Sequence, residues 1–306
     1  MRRSTKMVAA LVALGCRMCV WAIEVEVVGG NEWRYGHSDN GDVVVCAVSR
    51  SKTGTVAIPA SLGGKPVRHI GVRAFKNHQE LTAVEIPDGV TSIGYDAFAG
   101  CSNLTHVTIP SSVRHVGRRA FADCGEGLYD TETMPGVKLV GRWVVGPDGA
   151  VSGRLDLSGA DGVAEDAFFG CKGLMHLTFS DDTKTIGDKA FEGCAGLTFV
   201  AIPASVTFIG RSAFYGCGSL EEVSVAADNP RYFVEDECLC DLNTGRKCRI
   251  GPYLYLPAEN AGCEANVKQG INYDDFLKIV GRGSVIVASI PFFAALLAAK
   301  VIGHYP

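Results

Sequence analysis

A 16-residue pattern recurs along this chain and constrains its fold more than any other feature. Residues 86–101 read IPDGVTSIGYDAFAGC, and the pattern returns 23 residues later, at residues 109–124, as IPSSVRHVGRRAFADC. Further copies occupy residues 179–194 and 202–217, and partial copies begin at Ile58 and Leu157. A fixed period of roughly 20 to 50 residues is typical of solenoids, in which each repeat packs only on its neighbours.

Each repeat contains one strand-like stretch and one short Ala-Phe stretch. In residues 104–109, Val107 and Ile109 share a face because strand side chains alternate between two sides. The Ala-Phe stretch has room for about one helical turn, which is too short to bury an apolar face alone. Stacked repeats would therefore close the core, with parallel strands about 4.8 Å apart.

One repeat position indicates a left-handed backbone. Two residues after each Ala-Phe phenylalanine, the chain carries only glycine, asparagine or aspartate. The six residues are Asn77, Gly100, Asp123, Gly170, Gly193 and Gly216. These residue types tolerate positive φ better than any others, so we expect a left-handed residue in every coil.

The repeat IPxxVxxIGxxAFxGCxxLxxVxI, as it runs in residues 86–109 and 202–225, resembles the BspA-like subclass of leucine-rich repeats. The resemblance covers roughly residues 50 to 235. It implies an exported protein used for adhesion or protein binding, and it supplies no catalytic residue. We therefore expect an α/β fold, namely a right-handed leucine-rich-repeat solenoid with parallel strands, short helical turns, β-hairpin caps and one β-hairpin insertion.

The repeats and the segments that depart from them predict a division of the chain. We expect a signal peptide at 1–22, an N-terminal β cap at 23–57, leucine-rich repeats at 58–124, a β insertion at 125–156, repeats at 157–225, a C-terminal cap at 226–260 and a tail at 261–306. Terminal coils need such caps, since an open end exposes core and strand edges.

Both ends of the chain carry apolar stretches with alternative interpretations. Basic residues followed by an apolar run to Ala22 are typical of a secretory signal peptide, and lipidation at Cys16 is the alternative. In the tail, residues 284–302 are predicted either as a membrane-associated helix or as a tail buried against the last repeat. We expect a secreted or cell-surface protein.

The charge balance disfavours nucleic acid as a partner. The chain has 29 basic and 33 acidic residues, and loss of the signal peptide would lower its net charge from −4 to −8. Phosphate-backbone partners call for a basic protein. We expect instead a monomer that binds a protein or glycan at the cell surface, with membrane attachment through the tail as a further option.

Two groups of cysteines have different interpretations. One group recurs at a single repeat position, which favours small buried side chains over metal ligands: Cys101, Cys124, Cys171, Cys194 and Cys217. The other group lies in and after the C-terminal cap, where a stapling disulfide, unpaired thiols and a metal site all remain open: Cys238, Cys240, Cys248 and Cys263. No cofactor is expected.

No catalytic motif frames any histidine, so we expect no enzyme activity. The outward repeat positions are the candidate ligand face: His106, His176, Phe199 and Glu222 in one column, and His69, His115 and Phe208 in the neighbouring one. Exposed aromatic residues are typical anchors of protein interfaces. The sequence favours a noncatalytic exported module for protein binding or adhesion. The alternatives are a structural cell-envelope repeat protein without a dedicated ligand and, third, an enzyme built from the insertion and cap.

Overall fold

Backbone hydrogen bonds join short strands of this chain into two parallel rows along successive coils. A computed structural model describes residues 4–5, 23–49, 54–251 and 254. The first row consists of β5 (Thr55–Ala57), β8 (Ala83–Glu85) and β10 (His106–Thr108), then β14 (Gly153–Leu157), β16 (Leu174–Phe179), β18 (Phe199–Ile202) and β20 (Glu222–Val225). The second row consists of β7 (Lys65–Ile70), β9 (Ser92–Ile93) and β11 (His115–Val116), then β13 (Trp143–Pro147), β15 (Gly162–Val163), β17 (Thr185–Ile186) and β19 (Phe208–Ile209). The predicted parallel-strand solenoid is confirmed.

The predicted short helical turns are wrong, and the described residues form a β fold rather than an α/β fold. Their single helical element is the 3-10 turn η1 (Glu126–Leu128). In the Ala-Phe stretch the N–H of Ala97 donates to the carbonyl of Gly94, but the N–H of Phe98 donates to Ala120 of the next coil, at 2.7 Å. Because alternate N–H groups bond between coils, they cannot form the i to i−4 bonds of an α-helix.

These bonds between coils make a third side of the solenoid, which we call the turn ladder. In one coil the N–H groups of Asp96, Phe98 and Gly100 donate to the carbonyls of the next coil at 3.1, 2.7 and 2.8 Å. The ladder therefore holds the turns together in the way that the two strand rows hold the strands.

The predicted left-handed position is confirmed in all six coils. The φ angles of Asn77, Gly100, Asp123, Gly170, Gly193 and Gly216 are 61°, 76°, 57°, 72°, 74° and 74°. A second left-handed residue, four positions earlier in each coil, was not predicted: Arg73, Asp96, Arg119, Asp166, Lys189 and Ser212, with φ between 53° and 58°. No residue type unites this second set, so the turn ladder rather than side-chain preference selects its conformation.

The core is a row of stacked rings inside the turns. Phe75 and Phe98 lie 4.9 Å apart between ring centroids, and Phe98 and Phe121 lie 5.3 Å apart. After the insertion the row resumes with Phe168–Phe191 at 5.2 Å and Phe191–Phe214 at 5.6 Å. All these rings are buried, so each coil contributes one ring and covers its neighbour's.

An antiparallel sheet covers the first coil. It contains β1 (Ser4–Thr5), β2 (Glu24–Val28), β3 (Asn31–His37) and β4 (Val43–Val48). β4 pairs in parallel with β7, which the short β6 (Ser61–Leu62) also flanks, so the sheet extends the second row. The fully buried Trp33 lies edge-on to Phe75 at 6.3 Å and ends the ring row.

The insertion contributes one strand to the second row but no Ala-Phe turn. β12 (Val137–Val140) and β13 form a hairpin, and β13 pairs in parallel with β15 through Trp143 and Gly162. A Cβ at Gly162 would lie 2.7 Å from the Trp143 ring, so a side chain there would displace the indole. The sheets of both rows are interrupted on the N-terminal side of this irregular coil.

At the other end, an antiparallel sheet of β21 (Tyr232–Glu235), β22 (Cys238–Asp241) and β23 (Arg246–Arg249) follows the last coil. The hydroxyl of the buried Tyr232 accepts a hydrogen bond from the N–H of Ile209 at 2.9 Å. Asn229 donates from Nδ2 to the carbonyls of Pro203 and Val206. These contacts fix the cap on the end of the second row.

Candidate functional site

The exposed side of the first strand row carries a regular array of side chains, which we call the strand surface. Parallel register places Arg154, His176, Phe199 and Glu222 in one column and Asp156, Thr178, Ala201 and Ser224 in the next. Their strand neighbours Leu177, Val200 and Val223 are buried. The alternation of a strand therefore divides each strand between core and surface.

Two rings lie together on this surface. The His176 and Phe199 ring centroids are 6.1 Å apart, with planes tilted by 42°. Met175, on the same strand as His176, is 47% exposed. Arg154 lies at one end of the column and Glu222 at the other, so the strand surface has an aromatic centre between two opposite charges.

The predicted column is not continuous across the chain. His106 pairs with Ala83 on β10 and β8, in a different sheet from His176. Arg154 on β14 occupies the place before His176, and it belongs to the insertion predicted at 125–156. His176, Phe199 and Glu222 are thus brought together, and His106 is separated from them. The repeat pattern did not identify Arg154, because this residue lies in the insertion rather than in a repeat.

The neighbouring predicted column divides in the same way. His69, Ser92 and His115 lie side by side on β7, β9 and β11, whereas Phe208 pairs with the buried Thr185 on β19 and β17. Phe208, 38% exposed, belongs to the second row, and Phe199 belongs to the first. Phe199 and Phe208 belong to one coil but lie on different sheets, and Phe199 is half-buried.

One histidine contacts both a serine and an acid. His69 Nδ1 lies 2.7 Å from Ser92 Oγ, and its Nε2 lies 3.8 Å from an Asp42 carboxylate oxygen. Burial lowers the pKa of His69, although Asp42 acts in the opposite direction. The 3.8 Å separation is too long for a hydrogen bond that would orient a catalytic imidazole. This arrangement lacks the geometry of a catalytic triad.

The repeat-position cysteines do more than fill space. Cys101, Cys194 and Cys217 are fully buried as predicted, whereas Cys124 and Cys171, on either side of the insertion, are half-buried. Each thiol with a complete preceding coil donates to the phenylalanine carbonyl of that coil: Cys101 to Phe75, Cys124 to Phe98, Cys194 to Phe168 and Cys217 to Phe191, at 3.0 to 3.3 Å. Burial raises the pKa of the Cys194 and Cys217 thiols to about 12, which keeps them protonated and unreactive at neutral pH.

After the third Ala-Phe turn, where the next coil is irregular, a tyrosine hydroxyl takes the place of the cysteine thiol as the donor to the phenylalanine carbonyl. Phe121 has no regular coil after it, and the hydroxyl of Tyr129, just after η1, donates to the Phe121 carbonyl. The same hydroxyl accepts from the N–H of Cys124 at 3.4 Å. Burial raises the pKa of Tyr129 to about 12. The insertion therefore supplies the donor that the missing repeat cysteine would have supplied.

The cap cysteines and both chain ends stay as predictions. Cys238 and Cys240 lie on β22 and Cys248 on β23, with Cys248 opposite Leu239. Cys263, the signal peptide apart from Ser4–Thr5, and the tail with residues 284–302 lie outside the described residues. Within the described ranges, no group of three metal-ligating residues and no membrane-spanning helix is found.

Comparison with known proteins supports the repeat pattern. A family model described as BspA type Leucine rich repeat region matches six copies over residues 65–138 and 159–239. The match leaves out residues 139–158, which include β13 and β14. No curated protein matches the chain.

Several solved structures are similar to the chain. A leucine-rich repeat protein of T. pallidum is 26% identical over 63% of this chain and 78% of that one, with a TM-score of 0.36. A leucine-rich cell surface protein of Faecalibacterium prausnitzii A2-165 is 27% identical over 76% of this chain and 61% of that one, with a TM-score of 0.35. The pneumococcal vaccine antigen PcpA is 16% identical over 78% of this chain and 57% of that one, with a TM-score of 0.33.

Proposed function

Because the chain belongs to the BspA-type leucine-rich repeat family, we propose that it is a noncatalytic binding module that holds a partner protein on its strand surface. The proposal includes export to the cell surface, which the charged and apolar pattern of residues 1–22 favours. The family is defined by its scaffold, so the partner must be sought in the exposed side chains.

The observation that carries the proposal is the contact between His176 and Phe199. The exposed His176 ring and the half-buried Phe199 ring, 6.1 Å apart on a parallel sheet, form an aromatic centre, and Arg154 and Glu222 lie at the ends of the same column. Protein interfaces concentrate their binding energy in such aromatic and arginine residues, surrounded by polar groups. A protein partner is therefore favoured over a glycan.

The test measures binding of the purified full chain to an array of surface and secreted proteins and to a glycan array. We expect saturable binding to a protein, weakened at least about 10-fold by Phe199→Ala, since a central aromatic anchor contributes about 2 kcal/mol or more. Phe208→Ala is the matched control, because it removes an exposed ring from the second row and should leave binding unchanged.

The alternative functions give different results in the same assay. Saturable binding only to a glycan would replace the protein partner with a carbohydrate. A structural envelope protein without a ligand would bind nothing on either array, which would overturn the proposal. Equal affinity of the wild type and Phe199→Ala would place any partner elsewhere on the molecule.

A further inference from the structure

The turn ladder is broken between the third and fourth Ala-Phe turns. In complete coils, alternate N–H groups of one turn donate to the carbonyls of the next. Among the described residues, the corresponding N–H groups of Arg119, Phe121 and Asp123 have no hydrogen-bond acceptor, and the facing carbonyls of Glu165 and Phe169 have no donor. The break arises because the insertion supplies β13 to the second row but no turn.

A cleft of about 530 Å³ occupies the place of the missing turn. Arg119, Phe121 and Asp123 line one wall, and Glu165 and Phe169 line the other. At the second-row end of the cleft the two coils are in direct contact, since the N–H of Glu165 donates to the carbonyl of Val116 at 2.9 Å. The space for an extended backbone therefore lies beyond this contact, between the turn that carries Phe121 and the turn that carries Phe169. Phe169, 59% exposed, adds an apolar side chain at the wall of the cleft.

Two acidic side chains in the cleft have a buried oxygen that accepts no hydrogen bond. Asp166 Oδ1 and Glu192 Oε2 are buried without a hydrogen-bond partner. The other Asp166 oxygen, Oδ2, lies 3.1 Å from Arg118 Nε. Glu192 Oε2 itself lies 3.5 Å from Lys189 Nζ, so it already forms an ion pair and only Asp166 Oδ1 has neither a hydrogen bond nor an ion pair. Burial raises the pKa of Asp166 despite the opposing effect of Arg118 and Lys189. Buried carboxylate oxygens are stabilised by donors, and a cationic donor gives the strongest bond.

We propose that this cleft binds an extended peptide segment of a partner protein, with a lysine or arginine of that segment reaching Asp166 and Glu192. The peptide backbone replaces the missing rung by accepting from the N–H groups of Arg119, Phe121 and Asp123. Recognition of this kind adds a strand to an exposed edge, so main-chain bonds give affinity and one side chain gives specificity. The cleft is a second binding site, separate from the strand surface.

Amide hydrogen exchange of the full chain tests whether the donors are available. We expect the N–H groups of Arg119 and Phe121 to exchange faster than those of Lys189 and Phe191, which occupy equivalent positions and donate to the next coil at 2.8 Å. Equal protection at both pairs overturns the proposal, because the donors are then occupied already. Protection that rises with protein concentration would identify a second copy as the occupant, and protection independent of concentration a segment of the same chain.

Peptide binding tests the occupant. The probe is the acetylated and amidated pentapeptide Ser-Val-Lys-Val-Ser, titrated into the ¹⁵N-labelled full chain. We expect the amide resonances of Arg119, Phe121 and Asp123 to shift, and binding to be about 10-fold weaker when glutamate replaces the peptide lysine. A peptide methylated on alternate backbone nitrogens controls for non-specific apolar contact.

Variants of the cleft test the charge. Asp166→Asn keeps a residue type that accepts φ of 58°, and with Glu192→Gln it should reduce the preference for the lysine peptide to below about 3-fold. Asp181→Asn is the control, because Asp181 is exposed and does not line the cleft. An undiminished preference in the double variant, or no shift at the three amides, refutes the site.

Discussion

Tyr129 offers the sharpest test of how the solenoid survives its interruption. Its hydroxyl contacts two backbone groups, as a donor to the Phe121 carbonyl and an acceptor from the Cys124 N–H. In a regular coil these groups have other partners, since the Cys101 N–H donates to Phe98 within its own turn and a thiol from the next coil donates to the same carbonyl. Tyr129→Phe removes both bonds without leaving a cavity.

The expected cost follows from two backbone hydrogen bonds. Each is worth about 0.5 to 1.5 kcal/mol net, so Tyr129→Phe should lower the free energy of unfolding by about 2 kcal/mol. Water can reach part of the half-buried site, which argues against a larger loss. For a folded region of this size, about 2 kcal/mol corresponds to a fall in Tm of about 4 to 8 °C.

Urea and thermal unfolding of the full chain measure this effect, with Tyr95→Phe as the matched control. Tyr95 lies on the turn of another coil, where its ring contacts Arg73 at 5.5 Å and no hydrogen bond is found for its hydroxyl among the described residues. Its substitution should change stability by less than about 0.5 kcal/mol. If both variants lose the same stability, the tyrosine hydroxyl does not replace the thiol and the reasoning fails.

The pH dependence gives a second check on the same residue. Burial raises the pKa of folded Tyr129 to about 12 from 10.0, so the protonated hydroxyl is stabilising below pH 10. This contribution is lost as the pH rises through about 12. The stability difference between the wild type and Tyr129→Phe should therefore be constant at neutral pH and shrink above pH 10.

Two further predictions concern the turns. Gly193→Ala should destabilise by about 1 to 2 kcal/mol in urea unfolding because φ is 74° there, whereas Gly193→Asn should cost less, and equal losses would contradict the left-handed explanation. The second prediction is that Asp96→Asn lowers the stability at neutral pH, where the carboxylate is charged. Burial raises the pKa of Asp96, but the ion pairs with Lys76 and Arg119 lower it by more, so the pKa lies below 3.8. The carboxylate therefore stabilises the fold above about pH 4, and the contribution is lost as the pH falls through the lowered pKa. Acid unfolding followed by circular dichroism should show a smaller pH dependence in Asp96→Asn, and an unchanged profile would refute the role of the ion pairs.

The sequence predicted what the repeat enforces at every coil. Gly100 and Asn77 share a left-handed position because the turn recurs, and the residue types at that position reveal its backbone conformation. The second left-handed position was missed because Arg73 and Asp96 have no shared preference for positive φ. The helical turns were predicted wrongly because a stretch of four to six residues can close a turn internally or bond to its neighbour, and spacing alone does not distinguish the two.

The columns of the candidate surface could be predicted only where consecutive strands follow the 23-residue period without interruption. His176, Phe199 and Glu222 follow one another at 23-residue intervals, and they share a column. His106 has the same repeat position but lies before the insertion. The insertion does not follow the 23-residue period, so its pairing with the second row could not be predicted from that period. The same irregularity concealed Arg154 and the cleft.

In this solenoid, the groups available for recognition are those that make no contact within a coil or between neighbouring coils. Inside a coil, the phenylalanine ring stacks, its carbonyl receives a thiol, and the alternate N–H groups bond to the next turn. A regular coil therefore leaves only its outward side chains, which is why the strand surface varies from coil to coil while the interior does not. The irregular coil differs because it omits a turn and leaves backbone donors and acceptors facing each other across a cleft. An ordered array with one missing rung thus presents side chains along its length and main-chain groups at the interruption, and the two kinds of site should differ in their sensitivity to side-chain substitution.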